Sequence, residues 1–307
     1  MGIDVSIIIP LYNKEDFIER ALACIEHQTF VNWECIIIDD GSTDLSAKIV
    51  QNYISDRGHR WKYVFQENMG QAAARNAGIN QSNGKYLAFL DADDLWPNYK
   101  LSSQFAELES NPSCVLALSP FVIFEQHSLF PRLVKHTNTG KMLSGWLSMR
   151  GFGGGIESVG LIRRSTLGTQ MRFDESLTTS SGLDLTLRLS DLGEIILLKK
   201  IGLVYRINDG QWHTNMFEWT RNMSIIRNKH EVRSAVSLEL YHLAYLFWAE
   251  KRLSGWRYFF GAIFRSAFDL KNRRFLMIAC LVLRNLKAKA LGFLYFKRIS
   301  NLIKNLD

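Results

Sequence analysis

Apolar runs of strand length alternate with stretches of helical spacing through the first hundred residues. Val5 to Pro10 is an apolar run closed by proline. After the turn-like Tyr12-Asn13-Lys14, the residues Phe17, Ile18, Ala21, Leu22 and Ile25 recur at the spacing that lines one face of a helix. Glu34 to Ile38 is a second run, ended by Asp39-Asp40-Gly41-Ser42-Thr43-Asp44, where a turn and a helix start coincide. Ser42 or Thr43 is placed to cap the helix carrying Ala47, Ile49 and Val50, and Asp44 reads as a cap or turn residue. Tyr63 to Gln66 predicts a third strand, Gln71 to Ile79 a helix, and Tyr86 to Leu90 a fourth strand that ends on Asp91. Apolar strands alternating with helices predict an α/β fold whose sheet is mostly parallel and buried on both faces.

In such sheets ligands bind beyond the carboxyl ends of the strands. The polar residues that follow these strands are Tyr12 and Asn13, then Asp39 and Asp40, then Asp91, Asp93 and Asp94. Five carboxylates on one rim repel one another unless cations intervene. A divalent ion held by one or two of them together with the phosphates of a nucleotide answers that need, and hard oxygen ligands suit Mn2+ or Mg2+. A lone Asp-x-Asp is common by chance; one at the end of a buried strand is far less so.

Composition adds limits. At 307 residues the chain is longer than a typical domain, which predicts either one large core with an appendage or two domains. Five prolines and no low-complexity stretch predict a chain folded throughout. Cys24, Cys35, Cys114 and Cys280 are scattered among apolar residues, which excludes close-paired zinc or dithiol motifs and suits small buried hydrophobes. With no basic leader ahead of Val5, a reduced, cytoplasmic compartment is expected. The uncharged stretch Phe275 to Leu283 is about half of the roughly 20 residues a bilayer crossing requires.

Charge is split unevenly. From Arg221 onward 17 Lys and Arg face five Asp and Glu, a net +12, which leaves −5 for the first 220 residues. The same tail places Tyr241, Tyr245, Trp248, Trp256, Phe259, Phe260 and Phe264 between its cations. Two readings fit: helices lying peripherally on an anionic membrane surface, or a helical subdomain packed on the core with its charges solvated. No nucleic-acid-binding motif accompanies the charge.

Five ordered motifs then make a resemblance specific. They are Ser6 to Asn13 (SIIIPLYN), Gln28 to Phe30 (QTF), Ile38 to Asp44 (IDDGSTD), Asn68 to Gly78 (NMGQAAARNAG) and Phe89 to Asp94 (FLDADD). Together they resemble the successive motifs of family 2 glycosyltransferases, inverting enzymes of the GT-A fold. The resemblance is dense over about the first 100 residues and weaker to about residue 210. It implies a Rossmann-like GT-A catalytic domain over 1–215, with a nucleotide-binding half (1–100) and an acceptor-binding half (101–215), followed by the basic helical region 216–307. It implies that Pro10 and Tyr12 form the first nucleotide-contacting loop beside Asn13, with Tyr12 near the base, and that Asp40 accepts from N3 of a uracil or thymine ring while Asp39 holds the turn. Arg75 matches an arginine near the diphosphate, able to pair with phosphate or Asp91. Asp91 and Asp93 match the Asp-x-Asp pair, the first near the ribose and the second on the metal, with Asp94 as a further metal ligand.

In the second half, Gly151 to Gly155 and Glu157 to Arg164 resemble a glycine-containing loop and strand that shape the sugar pocket; a simple turn fits the glycines equally. Inverting transfer needs a carboxylate to take the proton from the acceptor hydroxyl. The family's acidic pair, six residues before the arginine that matches Arg188, is here Ser181-Gly182, and neither can act as a base. Asp184 is the nearest substitute, with Asp174, Glu175 and Glu157 as others; an ion pair between Asp184 and Arg188, its i+4 neighbour, is the alternative reading. Tyr205 to His213 resembles a closing loop whose histidine reaches the diphosphate, so His213 is a candidate contact, a plain surface histidine being the alternative.

The implied activity is metal-dependent transfer of a sugar from a UDP- or dTDP-sugar to a saccharide acceptor, lipid-linked, in cell-surface polysaccharide assembly at the inner membrane face. A scaffolding protein that keeps the nucleotide site without turnover is the alternative that Ser181-Gly182 keeps open. A nucleotidyltransferase would show a basic glycine-rich phosphate loop near the N-terminus, and none is present.

Overall fold

Val5–Leu11 (β1) and Trp33–Asp40 (β2) are buried almost without interruption, as their continuous apolar runs require, and they pair in parallel with Leu11 opposite Asp39. Trp61–Gln66 (β3) joins β2 in parallel and Tyr86–Phe89 (β4) joins β1 in parallel. Between them lie the helices Ile18–Glu26 (α1), Ser46–Ile54 (α2) and Gln71–Gln81 (α3). α1 buries Ile18, Ala21, Leu22 and Ile25, the stripe visible in the sequence. α3 packs so closely on β1 that a Cβ built on Gly78 would overlap the Ile8 side chain.

The remaining elements are Lys100–Ser110 (α4), Cys114–Leu118 (β5), Phe121–Glu125 (β6), Arg132–Val134 (β7), Gly160–Arg163 (β8), Ser181–Ser190 (α5), Glu194–Leu197 (β9) and Leu203–Ile207 (β10). One seven-stranded sheet has the order β3-β2-β1-β4-β8-β5-β9 and a second the order β10-β6-β7. Only β8 runs against its neighbours in the large sheet, pairing antiparallel with β4 and β5. The sheet is therefore mixed and mostly parallel, as predicted. Because β8 inserts beside β4, Ser158, just before β8, lies next to Asp91, just after β4.

The computed structural model describes residues 2–125, 132–134, 157–166, 168 and 172–207, together with Glu218, Arg221, Asn222, Ile225, Ile226, Lys229 and His230. The chain divides into two compact units, Met1–Trp146 with Arg150–His230 and Leu147–Met149 with Glu231–Asp307; the described residues lie in the first. His213, the loop Gly151 to Gly155, Cys280 and the aromatic tail lie outside the described residues. Among the described residues no helix is long and apolar enough to cross a membrane.

Two local expectations change. β2 does not stop at Ile38 but continues through both aspartates, because Asp39 and Asp40 stay in register with Phe65 and Gln66 of β3. The N-cap of α2 is Leu45, which makes no side-chain cap bond, and neither Ser42 nor Thr43 caps the helix. Asp44 Oδ1 accepts the Ser46 N–H at 2.9 Å, while Ser42 Oγ accepts the Asn13 N–H at 3.1 Å and holds the neighbouring loop instead.

Candidate active site

The loops after β1 and β2 are tied to each other. Asn13, in the left-handed region at φ 49°, accepts the Thr43 N–H on Oδ1 at 2.8 Å, and the Lys14 N–H donates to Ser46 Oγ at 2.8 Å. Asn13 thus spends its side chain holding the rim. Tyr12 beside it is 47 % exposed. Pro10 lies within β1 opposite Ile38 and fixes the strand that ends there.

Asp39 and Asp40 bond to different loops. Asp39 accepts the Ser42 N–H at 2.8 Å and the Tyr63 hydroxyl at 2.6 Å, which locks the turn. Asp40 accepts from Gln66 Nε2 (2.7 Å) and the Met69 N–H (2.9 Å) on Oδ1, and from the Gly70 N–H (2.8 Å) on Oδ2. A carboxylate offers about four lone-pair positions, so these three bonds leave room for one more donor, on Oδ2.

The Asp91 to Asp94 turn is closed by the Asp94 N–H donating to the Asp91 carbonyl at 2.9 Å. Its three carboxylates differ sharply in access. The Asp91 side chain is 30 % exposed and that of Asp93 is 10 % exposed, whereas Asp94 is buried behind them and accepts the Arg206 N–H at 3.4 Å. Burial, followed by Asp91 and Asp93, pushes the Asp94 carboxyl well above the usual range. Much of the repulsion expected on this rim has an internal answer: Arg75 Nη2 donates to Asp91 at 2.7 Å and Lys14 Nζ to Asp93 at 2.8 Å. Lys14 and Arg206, which also donates from Nε to the Asp93 carbonyl at 2.6 Å, are site residues the pattern did not single out. Nothing in their local sequence marks them, since each reaches the turn from a distant strand end.

Arg75 is buried in α3 beneath the rim, with its guanidinium 5.3 Å from the centroid of the Phe173 ring and its Nη1 3.6 Å from Glu157 Oε1. Its Nε and Nη1 have no hydrogen-bond partner among the described residues. Burial favours loss of its charge, but Asp91 and Glu157 outweigh that and hold it protonated.

Asp184 is placed differently. Its side chain is fully buried, with Oδ2 accepting from Arg188 Nε at 2.9 Å and Oδ1 within 3.0 Å of Lys229 Nζ and 2.9 Å of His230 Nε2. Burial alone would raise its pKa; His230, Lys229 and Arg188 prevail and lower it. The helix pair with Arg188 is present, and the structure gives this carboxylate to holding positions 229 and 230 against α5. Asp174 is bound by Lys229 (2.9 Å) and Ser176, which lower its pKa to about 2, and Glu175 accepts from Asn76 at 2.7 Å.

Among the described residues no cluster of three or more His, Cys, Asp or Glu forms a closed metal cage. A divalent ion shared with a diphosphate needs no such cage, and the partly accessible oxygens of Asp91 and Asp93 are the donor type that Mn2+ or Mg2+ takes.

A mostly parallel sheet with an acidic turn at the carboxyl end of β4 and an exposed tyrosine after β1 defines an α/β domain of GT-A type. Residues 6–158 match the family model for glycosyl transferase family 2. The chain belongs to that family.

Among curated relatives, the putative teichuronic acid biosynthesis glycosyltransferase TuaG of Bacillus subtilis is 39 % identical over 124 residues, covering 40 % of this chain and 48 % of that protein. Glycosyltransferase GlyA of Streptococcus pneumoniae is 42 % identical over 90 residues, 29 % of this chain and 13 % of that one. These alignments span less than half the length of either relative. Among solved structures, Staphylococcus aureus TarS 1–349 in complex with UDP-GlcNAc aligns with a TM-score of 0.67 at 17 % identity, covering 92 % of this chain and 83 % of that one. The mannosyltransferase PcManGT of Pyrobaculum calidifontis, in complex with GDP-Man and Mn2+, gives 0.56 at 16 % identity over 98 % and 81 %. At these identities the likeness is one of fold.

Proposed function

We propose that the chain is an inverting glycosyltransferase that moves a sugar from a UDP- or dTDP-sugar to a saccharide acceptor in cell-surface polysaccharide assembly. The observation that carries this reading is the pairing of two partly accessible carboxylates, Asp91 and Asp93, with the buried Arg75 directly behind them. Accessible oxygens suit a metal, and the buried guanidinium behind them balances their charge and fixes Asp91. TarS, whose fold this chain shares, is described bound to UDP and to UDP-GlcNAc, which supports a uridine donor.

In this reading Tyr12 stacks on the base and the remaining position on Asp40 Oδ2 accepts the N3 proton of uracil or thymine. Asp91 lies near the ribose and Asp93 and Asp91 would hold Mn2+ or Mg2+; Asp94, expected as a further ligand, is buried behind them and supports them instead. The metal, when bound, neutralises charge building on the departing nucleoside diphosphate. Arg75 orients Asp91 and keeps that end of the site cationic. The net +12 of the segment from Arg221 onward supports a lipid-linked acceptor and a peripheral position on an anionic inner membrane face; His213 remains a candidate diphosphate contact.

The test is release of nucleoside diphosphate and transfer of sugar from a panel of UDP- and dTDP-sugars, with and without Mn2+. Turnover from a uridine or thymidine donor, abolished in Asp93→Asn, is expected. Binding of UDP–Mn2+ without turnover on any donor would instead favour the scaffolding reading, which Gly182 and the fully engaged Asp184 make specific.

A further inference from the structure

Transfer with inversion needs a carboxylate that does not hold the metal, retains some access, and stands close to the donor's diphosphate end. The nearby acids are otherwise occupied among the described residues. Asp39 and Asp40 hold loops, Asp174 and Asp184 are bound to Lys229, and Glu175 is bound to Asn76. Glu157 differs from all of these. Its side chain is 15 % exposed, against 0 % for Asp184, and its nearest cationic neighbour is Arg75, 3.6 Å away. That separation is too long for a hydrogen bond, so the oxygen is oriented without being consumed.

Its location has a cause in the sequence. A Cβ built on Gly182 would fall on the Glu157 carboxylate, in contact with Cδ and both oxygens. Glycine at 182 therefore opens the volume that the Glu157 head group fills. That head group therefore lies at the start of α5, where Ser180 at the N-cap supplies no side-chain bond of its own. The helix dipole favours an anion there. Arg75 then links the two carboxylates, bonded to Asp91 on Nη2 and facing Glu157 on Nη1.

Resting on the transferase reading above, we propose that Glu157 is the general base, its carboxylate delivered from the segment before β8 into space that Gly182 leaves open. In the step, a Glu157 oxygen takes the proton of the acceptor hydroxyl as that hydroxyl oxygen forms its bond to the anomeric carbon. The bond from that carbon to the β-phosphate oxygen breaks on the opposite face, and its electron pair leaves with the nucleoside diphosphate. The carboxylic acid returns its proton to solvent after the products depart.

The experiment compares wild type, Glu157→Gln, Glu157→Ala and the double variant Glu157→Ala/Gly182→Asp. Each is assayed for nucleoside diphosphate release from UDP-GlcNAc, UDP-glucose, UDP-galactose and dTDP-rhamnose with Mn2+, using water and octyl glycosides as acceptors. Thermal midpoint and UDP–Mn2+ affinity are measured on the same samples. Glu157→Gln is expected to lower kcat by about a hundredfold or more, the range for general base catalysis, with UDP–Mn2+ affinity within a factor of about three of wild type. The double variant restores a carboxylate to the same volume and is expected to recover at least about tenfold over Glu157→Ala. Wild-type turnover that survives Glu157→Gln overturns the inference alone, as does a loss that tracks the folded fraction, which would make Glu157 a helix cap, or a double variant that recovers nothing. No turnover by wild type on any donor removes the transferase reading and this inference with it.

Discussion

Arg75 and Asp184 are both buried charges, and their surroundings assign them opposite duties. Arg75 has one full bond, to Asp91, and two donors left over; Asp184 is surrounded by three basic side chains. Removing one partner of a buried ionic cluster strands the others, at a cost of roughly 3–5 kcal/mol. Asp184→Ala is expected to lose about 1–3 kcal/mol in urea denaturation, less than that because Lys229 and Arg188, which lose their common anion with His230, are partly solvated. Arg75→Met removes the buried cation, and its distinguishing result is a UDP–Mn2+ affinity at least about tenfold weaker by calorimetry, since Asp91 would no longer be oriented. The position of Asp91 and Asp93 at the end of β4 was legible because the strand pattern places them at an edge. Asp184's ties to residues 45 and 46 positions away were not, since no local pattern encodes them.

Elements were legible where periodicity and burial agree. β1 and α1 match their apolar patterns closely, and α3 starts at Gln71 as expected. The departures sit where a tertiary bond competes with a local one, as when Ser42 holds Asn13 while Asp44, just before α2, accepts the Ser46 N–H. Asp44→Ala should cost about 1 kcal/mol, because the Ser46 N–H at the start of α2 and the Glu15 N–H both lose their acceptor. At Gly78 the limit is space. Gly78→Ala is expected to lower stability by about 1–3 kcal/mol, as overpacking between α3 and Ile8 forces one to move, despite alanine's better helix propensity. Equilibrium denaturation of both variants against wild type checks the pair.

At the scale of the molecule, the join between the two halves of the large sheet contains a buried amine. Lys100 Nζ donates to Gln104 Oε1 (2.8 Å) and the Gly160 carbonyl (3.3 Å), and lies 3.9 Å from the centroid of the Trp96 ring. Burial lowers its pKa to about 7, against an ordinary value of about 10.4. Between about pH 7 and 10 the unfolded chain carries a proton at this site that the folded chain does not. This site's contribution to stability therefore rises with pH across that window and is level below it. Cys24 does not complicate the window's lower part, since burial pushes its thiol up to about 11. Lys100→Met is expected to flatten the rise between pH 7 and 10, read from urea midpoints at a series of pH values.

Taken alone, the sequence determined the alternation of buried strands and helices, the acidic turn after β4 and the family, because each is written in local spacing or contiguous motifs. It also showed that an acidic pair is missing at Ser181-Gly182. Tertiary structure decided what surrounds those residues: β8 inserted antiparallel beside β4, Lys14 and Arg75 neutralising the turn, and Glu157 brought against Gly182 from 25 positions away. The physical reason is that spacing along a chain encodes which face a residue takes within its own element. Which distant charge fills a gap is set only when the elements pack.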